Sequence, residues 1–410
     1  RRGIFRPDRQ RPNTTENSST AEKTAASRAL TSNFLAKCRL KCYTPFYCAE
    51  GCSADLAVKG SGKAGNGTNL ANRNEWPNVS DWGVTTMGPA FCWIGGLLLV
   101  GVGWAGNGRG VEQTKVPAFP LFAYLTGGGS SAMVGYSPAE LDPRIEGNHI
   151  RLSTASIRAD LETIRPVFDG LVLYGYHKAS TPRILLMAKQ LKFRAVLVGI
   201  WDPKSREELE EVAELVSAFQ EDFALGVIIG NEGLTFRRYQ PEDLRRAAHY
   251  LRAKIPKTIP LTTSEPLIGY QSPFVREFGD FLAPNIHPVF DRPQLSPAEA
   301  AAWVRQEAAK LAKETQKPVL VKETGLPHGG KEGFSPETQK AFWMAYLKEG
   351  RLARFPENPD VWVFYGVAFE AFDLPWKAEA TNMPIEKSWG LFSTDRREYP
   401  ALSVWRQLSR

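Results

Sequence analysis

Between Ala132 and Phe369 the chain alternates short apolar runs with amphipathic stretches, and this rhythm limits the fold more than any other feature. The runs are Ala132–Tyr136, Gly170–Tyr174, Ala195–Ile200, Leu225–Ile229, Leu261–Thr263, Phe281–Asn285, Val319–Lys322 and Val361–Phe369. Their interiors are continuous rather than alternating, as in Leu171-Val172-Leu173 and Val227-Ile228-Ile229. That is the signature of parallel strands covered on both faces. The intervening segments Ser153–Arg165, Pro182–Leu191, Ser205–Phe219, Pro241–Ile255, Pro297–Thr315 and Pro336–Glu349 read as helices. Several open as helices do: Ser205 precedes Glu207 and Glu208, and Ser296 and Ser335 each precede a proline. Only the crossover between Ser264 and Asp280 looks short and irregular. The reading is therefore α/β, a (β/α)8 TIM barrel, preceded by an irregular N-terminal segment and one hydrophobic segment. An open doubly wound sheet would want a glycine-rich phosphate loop after its first strand, and Gly135-Tyr136-Ser137-Pro138 is not one.

The front of the chain differs in kind. Residues 1–86 hold 13 Lys and Arg against 7 Asp and Glu, whereas the whole chain holds 51 and 44, so the remainder is almost neutral. The basic excess is thus not a property of the barrel, and a nucleic-acid groove there is not expected. No charge occurs from Trp82 to Gly108. Two readings compete for this stretch: a signal h-region or anchor starting near Met87, with 1–86 as upstream translation, or a basic tail before a single span. A buried apolar helix is the third. We expect an exported protein, periplasmic, extracellular or membrane-anchored, with any membrane association made through residues 88–106. The division expected is 1–86 as a low-complexity basic segment, 87–131 as the apolar segment and a Gly/Ser linker, and 132–410 as the barrel. Cys38, Cys42, Cys48 and Cys52 lack a standard zinc spacing, and residues 111–410 contain no cysteine, which excludes a thiol nucleophile in the barrel.

Chemistry in such a barrel sits at the C-terminal ends of the strands. There the apolar runs break into Gly230-Asn231-Glu232, Asn285-Ile286-His287-Pro288, Lys322-Glu323-Thr324-Gly325 and Phe369-Glu370-Ala371-Phe372-Asp373. Glu232 and Glu323 directly end strands that are otherwise apolar, where a charge needs either a partner or a task. The plain alternative is rim salt bridges to Lys322 or Arg237. Paired carboxylates with opposite protonation states are the apparatus of glycoside hydrolysis. Asn231 is suited to holding a sugar hydroxyl. Tyr174, Trp201, Trp376 and Trp389 stand just past strand ends, where flat apolar faces suit pyranose rings. His149, His177, His249 and His328 do not fall at ligand spacing with acids, so neither a catalytic metal nor any cofactor is expected.

Val227–Glu232 (VIIGNE), Val319–Pro327 (VLVKETGLP), Phe369–Lys377 (FEAFDLPWK) and Ser388–Phe392 (SWGLF), in that order, resemble glycoside hydrolase family 17, particularly its bacterial branch. The resemblance runs from about Ala132 to Phe392. It implies a (β/α)8 barrel acting on β-1,3-glucan with retention, Glu232 as general acid/base and Glu323 as nucleophile. It also implies that Glu370 and Lys377 stand near the nucleophile in supporting or subsite roles. Two positions depart from the pattern: Leu326 where plant members usually carry Trp, and His287 where Tyr is common. The first alters the aglycone-side surface, and His287 is left to bind substrate, to tune Glu323 or merely to pair with a loop carbonyl. A β-glucan oligo- or polysaccharide is the expected partner, and a monomer the expected state. Hydrolysis and glucanosyl transfer would use the same residues, and a glucan-binding barrel without turnover is the rival from another class.

Overall fold

The computed structural model describes residues 119–127 and 131–407. The basic stretch 1–86 and the apolar run 88–106 lie outside the described residues.

Five parallel strands are laid down in chain order: β1 (Met133–Gly135), β2 (Gly170–Val172), β3 (Ala195–Ile200), β4 (Ala224–Asn231) and β5 (Leu261–Ser264). Beyond β5 the ladder continues through single bridges, Pro266 to Asn285, Leu282 to Val319 and Asn285 to Glu323. The sixth run thus occupies a stave without qualifying as a strand. Pro284 in its middle has no N–H to donate, which breaks the ladder there. β6 (Val319–Leu320) follows. The last stave is split into β8 (Asn358–Phe364), parallel to β6, and β9 (Val367–Ala368), parallel to β1, and the ring closes. β7 (Leu352–Phe355) runs antiparallel to β8 as a hairpin that the sequence reading lacked. The barrel expected from the alternation is the barrel observed.

The helices fall close to their expected spans: α2 (Thr154–Ile164), α3 (Thr181–Gln190), α4 (Arg206–Ala218), α5 (Pro241–Lys254), α6 (Pro297–Thr315) and α7 (Pro336–Leu347). Their starts follow capping chemistry. The Ser205 side chain accepts from the Glu208 N–H, and Ser296 and Ser335 form reciprocal capping boxes with Glu299 and Thr338. Successive side chains of β3 divide between two cores, as strand geometry requires. Ala195 and Leu197 join an inner cluster with Met133, Val172, Ile228, Leu320 and Phe364. Val196, Val198 and Ile200 join the outer one under the helices.

Ahead of the Gly/Ser stretch read as a linker stands α1 (Pro120–Thr126), and this helix packs on the N-terminal end of the barrel. Leu121 and Leu125 belong to the inner cluster, and Phe122 meets Phe281 and Trp362 edge-on at 5.8 and 5.2 Å. A Cβ at Gly226 would lie 2.7 Å from a Leu121 methyl, so that close approach depends on glycine. With its floor closed, the barrel opens only at the strand C-termini. Two further helices, α8 (Pro375–Thr381) at the mouth and α9 (Leu402–Gln407), complete the chain, and Trp405 of α9 packs on Trp343 and Phe168.

Candidate active site

At the end of β4 the backbone turns sharply. Gly230 has φ +75° and Glu232 has φ +59°, with a register irregularity against β5 between Ile228 and Asn231. A left-handed glutamate costs about 1–2 kcal/mol, which the surrounding packing must offset. The Glu232 N–H donates to the Ser264 carbonyl at 2.7 Å, and the Gly233 N–H donates to the Tyr239 hydroxyl at 3.0 Å. These bonds hold the turn, and with it Glu232, at the wall of a cleft. Glu323, at the end of the seventh stave, lines the same cleft.

The two carboxylates have different company. Glu232 accepts one hydrogen bond, from the Asn285 amide at 2.8 Å. Burial first, then the charge of Glu323, pushes its pKa up to about 7. Glu323 is 5% exposed, more enclosed than the half-buried Glu232, and burial alone would raise its pKa too. That push is outweighed by the Lys322 ammonium, which bonds one oxygen, and by His287 Nε2, 3.2 Å from the other, so Glu323 lies well below the usual carboxylate range. The pair is joined through the Asn231 amide: Asn285 also donates to Asn231 Oδ1 at 3.1 Å, and the Lys322 ammonium donates to that same oxygen at 2.8 Å. The arrangement favours an acid at Glu232 and a carboxylate at Glu323 in one cleft.

Of the residues picked from sequence, Tyr174, Trp201, Asn231, Glu232, Glu323, Trp376 and Lys377 line the cleft. Because the Asn231 oxygen is engaged by Lys322 and Asn285, the group this side chain offers a ligand is its N–H. The Tyr174 ring lies beneath two ammonium groups, Lys322 at 4.8 Å and Lys377 at 5.9 Å. Its buried hydroxyl has no hydrogen-bond partner among the described residues. A Cβ at Gly135 would stand 2.6 Å from that hydroxyl, so glycine there is what admits the tyrosine. Trp201 is half-buried, with the Arg238 guanidinium 4.0 Å from the centre of its indole ring, and Trp376 is 6% exposed.

Three picks stand behind the wall instead of on it. His287 is hydrogen-bonded to Glu323 and boxed by Phe290, Phe369 and Trp389 rings, so of its three readings the structure shows contact with Glu323. Trp389, read as a sugar platform, is 1% exposed because it packs against that imidazole. Glu370, read as substrate-binding, is turned away because Lys377 bonds both its oxygens, at 2.7 and 2.8 Å. The rim-pairing alternative holds in part: Glu323 does bond Lys322, while Glu232 makes no ion pair among the described residues.

Phe236, Arg238, Phe369 and Glu386 also line the cleft and were not picked out. Burial raises the Glu386 pKa, against the pull of Lys377 and His287. Its one signal in the sequence is its place two residues ahead of the Ser388–Phe392 motif. Among the described residues no group of three or more His, Cys, Asp or Glu is placed to hold a metal.

Comparison with known proteins places this geometry. A family-17 β-1,3-glucanosyltransferase from Rhizomucor miehei superposes with a TM-score of 0.51 at 18% identity, covering 67% of this chain and 97% of its own. An active-site mutant of a β-1,3-glucanosyltransferase from the same organism, with laminaritriose bound, gives 0.51 at 18%, over 66% and 96%. A β-glucuronidase from an uncultured Clostridium gives 0.50 at 15%, over 68% of this chain and 50% of that one. Identities this low speak for the fold alone. No curated protein matches the chain. The family model described as the BtgE/BtgC glycoside hydrolase domain matches residues 134–390, from the first barrel strand to the mouth of the cleft, and the chain belongs to that family.

Proposed function

We propose that this chain acts on β-1,3-glucan as a retaining glycoside hydrolase of the family-17 kind. Glu323 attacks the anomeric carbon while Glu232 protonates the departing oxygen. Glu232, now ionised, then takes the proton of the incoming water as the glycosyl ester of Glu323 is broken. The observation that carries the reading is the one cleft lined by two glutamates held in different protonation states, one beside an ammonium and an imidazole and the other beside a neutral amide. Asn231 offers its N–H to a hydroxyl of the bound sugar, and Tyr174, Trp201, Trp376 and Lys377 supply the surrounding surface.

Transfer to a second glucan instead of water is the alternative with the same residues, favoured by the likeness to the Rhizomucor β-1,3-glucanosyltransferases. Proton NMR of the first product from a laminari-oligosaccharide tests the mechanism: the β-anomer must appear first. Chain lengths of the products separate the routes, since only transfer yields oligomers longer than the substrate. Binding without turnover would instead mark a glucan-binding barrel. We place the site of action outside the cytoplasm, on the apolar run 88–106; sequencing the mature N-terminus after cell fractionation tests that. Among the described residues no helix is long and apolar enough to cross a membrane.

A further inference from the structure

We propose that Ser264 is a positioning residue for the acid: its hydroxyl fixes the Asn285 amide so that an N–H, and not the amide oxygen, meets Glu232. This rests on the role just given to Glu232. That carboxyl must release a proton in the first step and take one up in the second, so it needs a neighbour that tolerates its charge. An N–H donor favours the ionised form. An amide oxygen in the same place would accept from the protonated form and hold the proton back.

The orientation is set along a chain of hydrogen bonds that starts at a fixed charge. The Lys322 ammonium has donors only, so the Asn231 amide turns its oxygen to it, at 2.8 Å. The Asn285 amide gives that oxygen one N–H, at 3.1 Å, and its nitrogen also donates to Glu232 Oε1 at 2.8 Å. Its own oxygen is left facing Ser264, whose hydroxyl donates to it at 3.0 Å. Ser264 and Asn285 are both buried, where an unpaired amide oxygen is costly. The Asn285 backbone is held on both sides: its N–H donates to the Glu265 carbonyl at 2.9 Å, and its carbonyl accepts from the Leu267 N–H at 3.1 Å. Rotation of the amide is the freedom that remains, and the hydroxyl removes it. Two residues earlier, Thr262 gives its hydroxyl to the backbone carbonyl of Phe281, whereas that of Ser264 reaches a side chain of the site. The Ser264 carbonyl also takes the Glu232 N–H, so one residue holds the acid by its backbone and aims the acid's partner by its side chain. Glu323, His287, Lys322 and Tyr174 act on Glu232 as well, and Arg238, Lys377 and Glu386 stand further round the cleft. All of these stay in place when Ser264 alone is changed.

The test reads Glu232 directly. Enzyme labelled with 13C at the glutamate side-chain carboxyls is titrated by NMR, the Glu232 signal being the one missing from Glu232→Gln. In Ser264→Ala the Glu232 midpoint should rise by roughly 0.3–0.6 pH unit, and the alkaline limb of kcat/KM should rise with it. Ser264→Cys, with a weaker donor, should shift both in the same direction by less. In an Asn285→Ala background the Ser264→Ala change should move neither, because the hydroxyl acts through the amide. A midpoint that stays put or falls in Ser264→Ala, as it would if the hydroxyl only filled space, overturns the proposal. So does a shift that adds to that of Asn285→Ala. If the NMR midpoint rises as expected while the alkaline limb stays where it was, the positioning stands and the acid role of Glu232 beneath it is what fails.

Discussion

The ends of the fourth and seventh staves bring the same residue type to one cleft, and their surroundings treat the two differently. Glu232 is half-buried beside an amide that carries no charge. Glu323 is buried beside a lysine and a histidine. Desolvation acts on both, so burial cannot be what separates them; the neighbours decide. The lesson is that the proposed catalytic pair is specified less by its own two positions than by the neighbours Asn285, Lys322 and His287 at the same strand ends.

The harshest way to break the comparison is to remove one member. Glu323→Ala should cut turnover of laminari-oligosaccharides roughly 10^4-fold or more, since no other group forms the ester. Azide should restore part of the rate and give an α-glycosyl azide, identified by NMR. Glu232→Gln should cost roughly 10^2–10^4 on natural glucans, the usual worth of general acid–base catalysis. Formation of the glycosyl-enzyme from an activated aryl glycoside, whose leaving group needs no proton, should lose far less; equal losses on both substrates would exclude Glu232 as the acid.

Subtler changes move the contrast without erasing it. The proposed mechanism needs Glu323 ionised and Glu232 protonated, so the rate against pH should be a bell whose alkaline side falls near the Glu232 value of about 7. Lys322→Met withdraws the positive neighbour that favours ionised Glu323, so the acid limb should move up by roughly one to three pH units. Asn285→Ala removes a hydrogen bond that favours ionised Glu232. Its pKa should climb further and the alkaline limb shift upward by roughly half to one unit, which a pH–kcat/KM profile would read. Movement in the opposite direction in either variant would contradict the charge assignments drawn from the structure.

Much of the scaffold was legible because its signals are local. Continuous apolar runs, serine caps and N1 prolines marked α6 at Pro297–Thr315 and β3 at Ala195–Ile200 at their observed bounds. The sixth stave was marked as a strand, but Pro284 leaves it with bridges only, because hydrogen-bond pairing depends on more than apolar character. Helix α1, just ahead of the Gly/Ser linker, went unread: seven residues carry too little periodicity to announce a helix, and its stability comes from the barrel floor it covers. At the site, Glu232 and Glu323 were visible since a charge ending an apolar strand is costly and therefore informative. Phe236 and Arg238 sit on a connection without periodic pattern. The burial of Trp389 behind His287 depends on contacts between distant parts of the chain. Aromatic residues near strand ends look alike in sequence whether they face a ligand or the core.

The stopper formed by α1 has a practical corollary. Since Phe119 and the residues after it meet the barrel at its closed pole, a fusion partner or immobilising tag joined ahead of them is spliced to the end farthest from the reaction. A graft into the connection holding Phe236 and Arg238 would stand in the substrate's path. The protein thus comes with one end suited to handling and one that must be left alone.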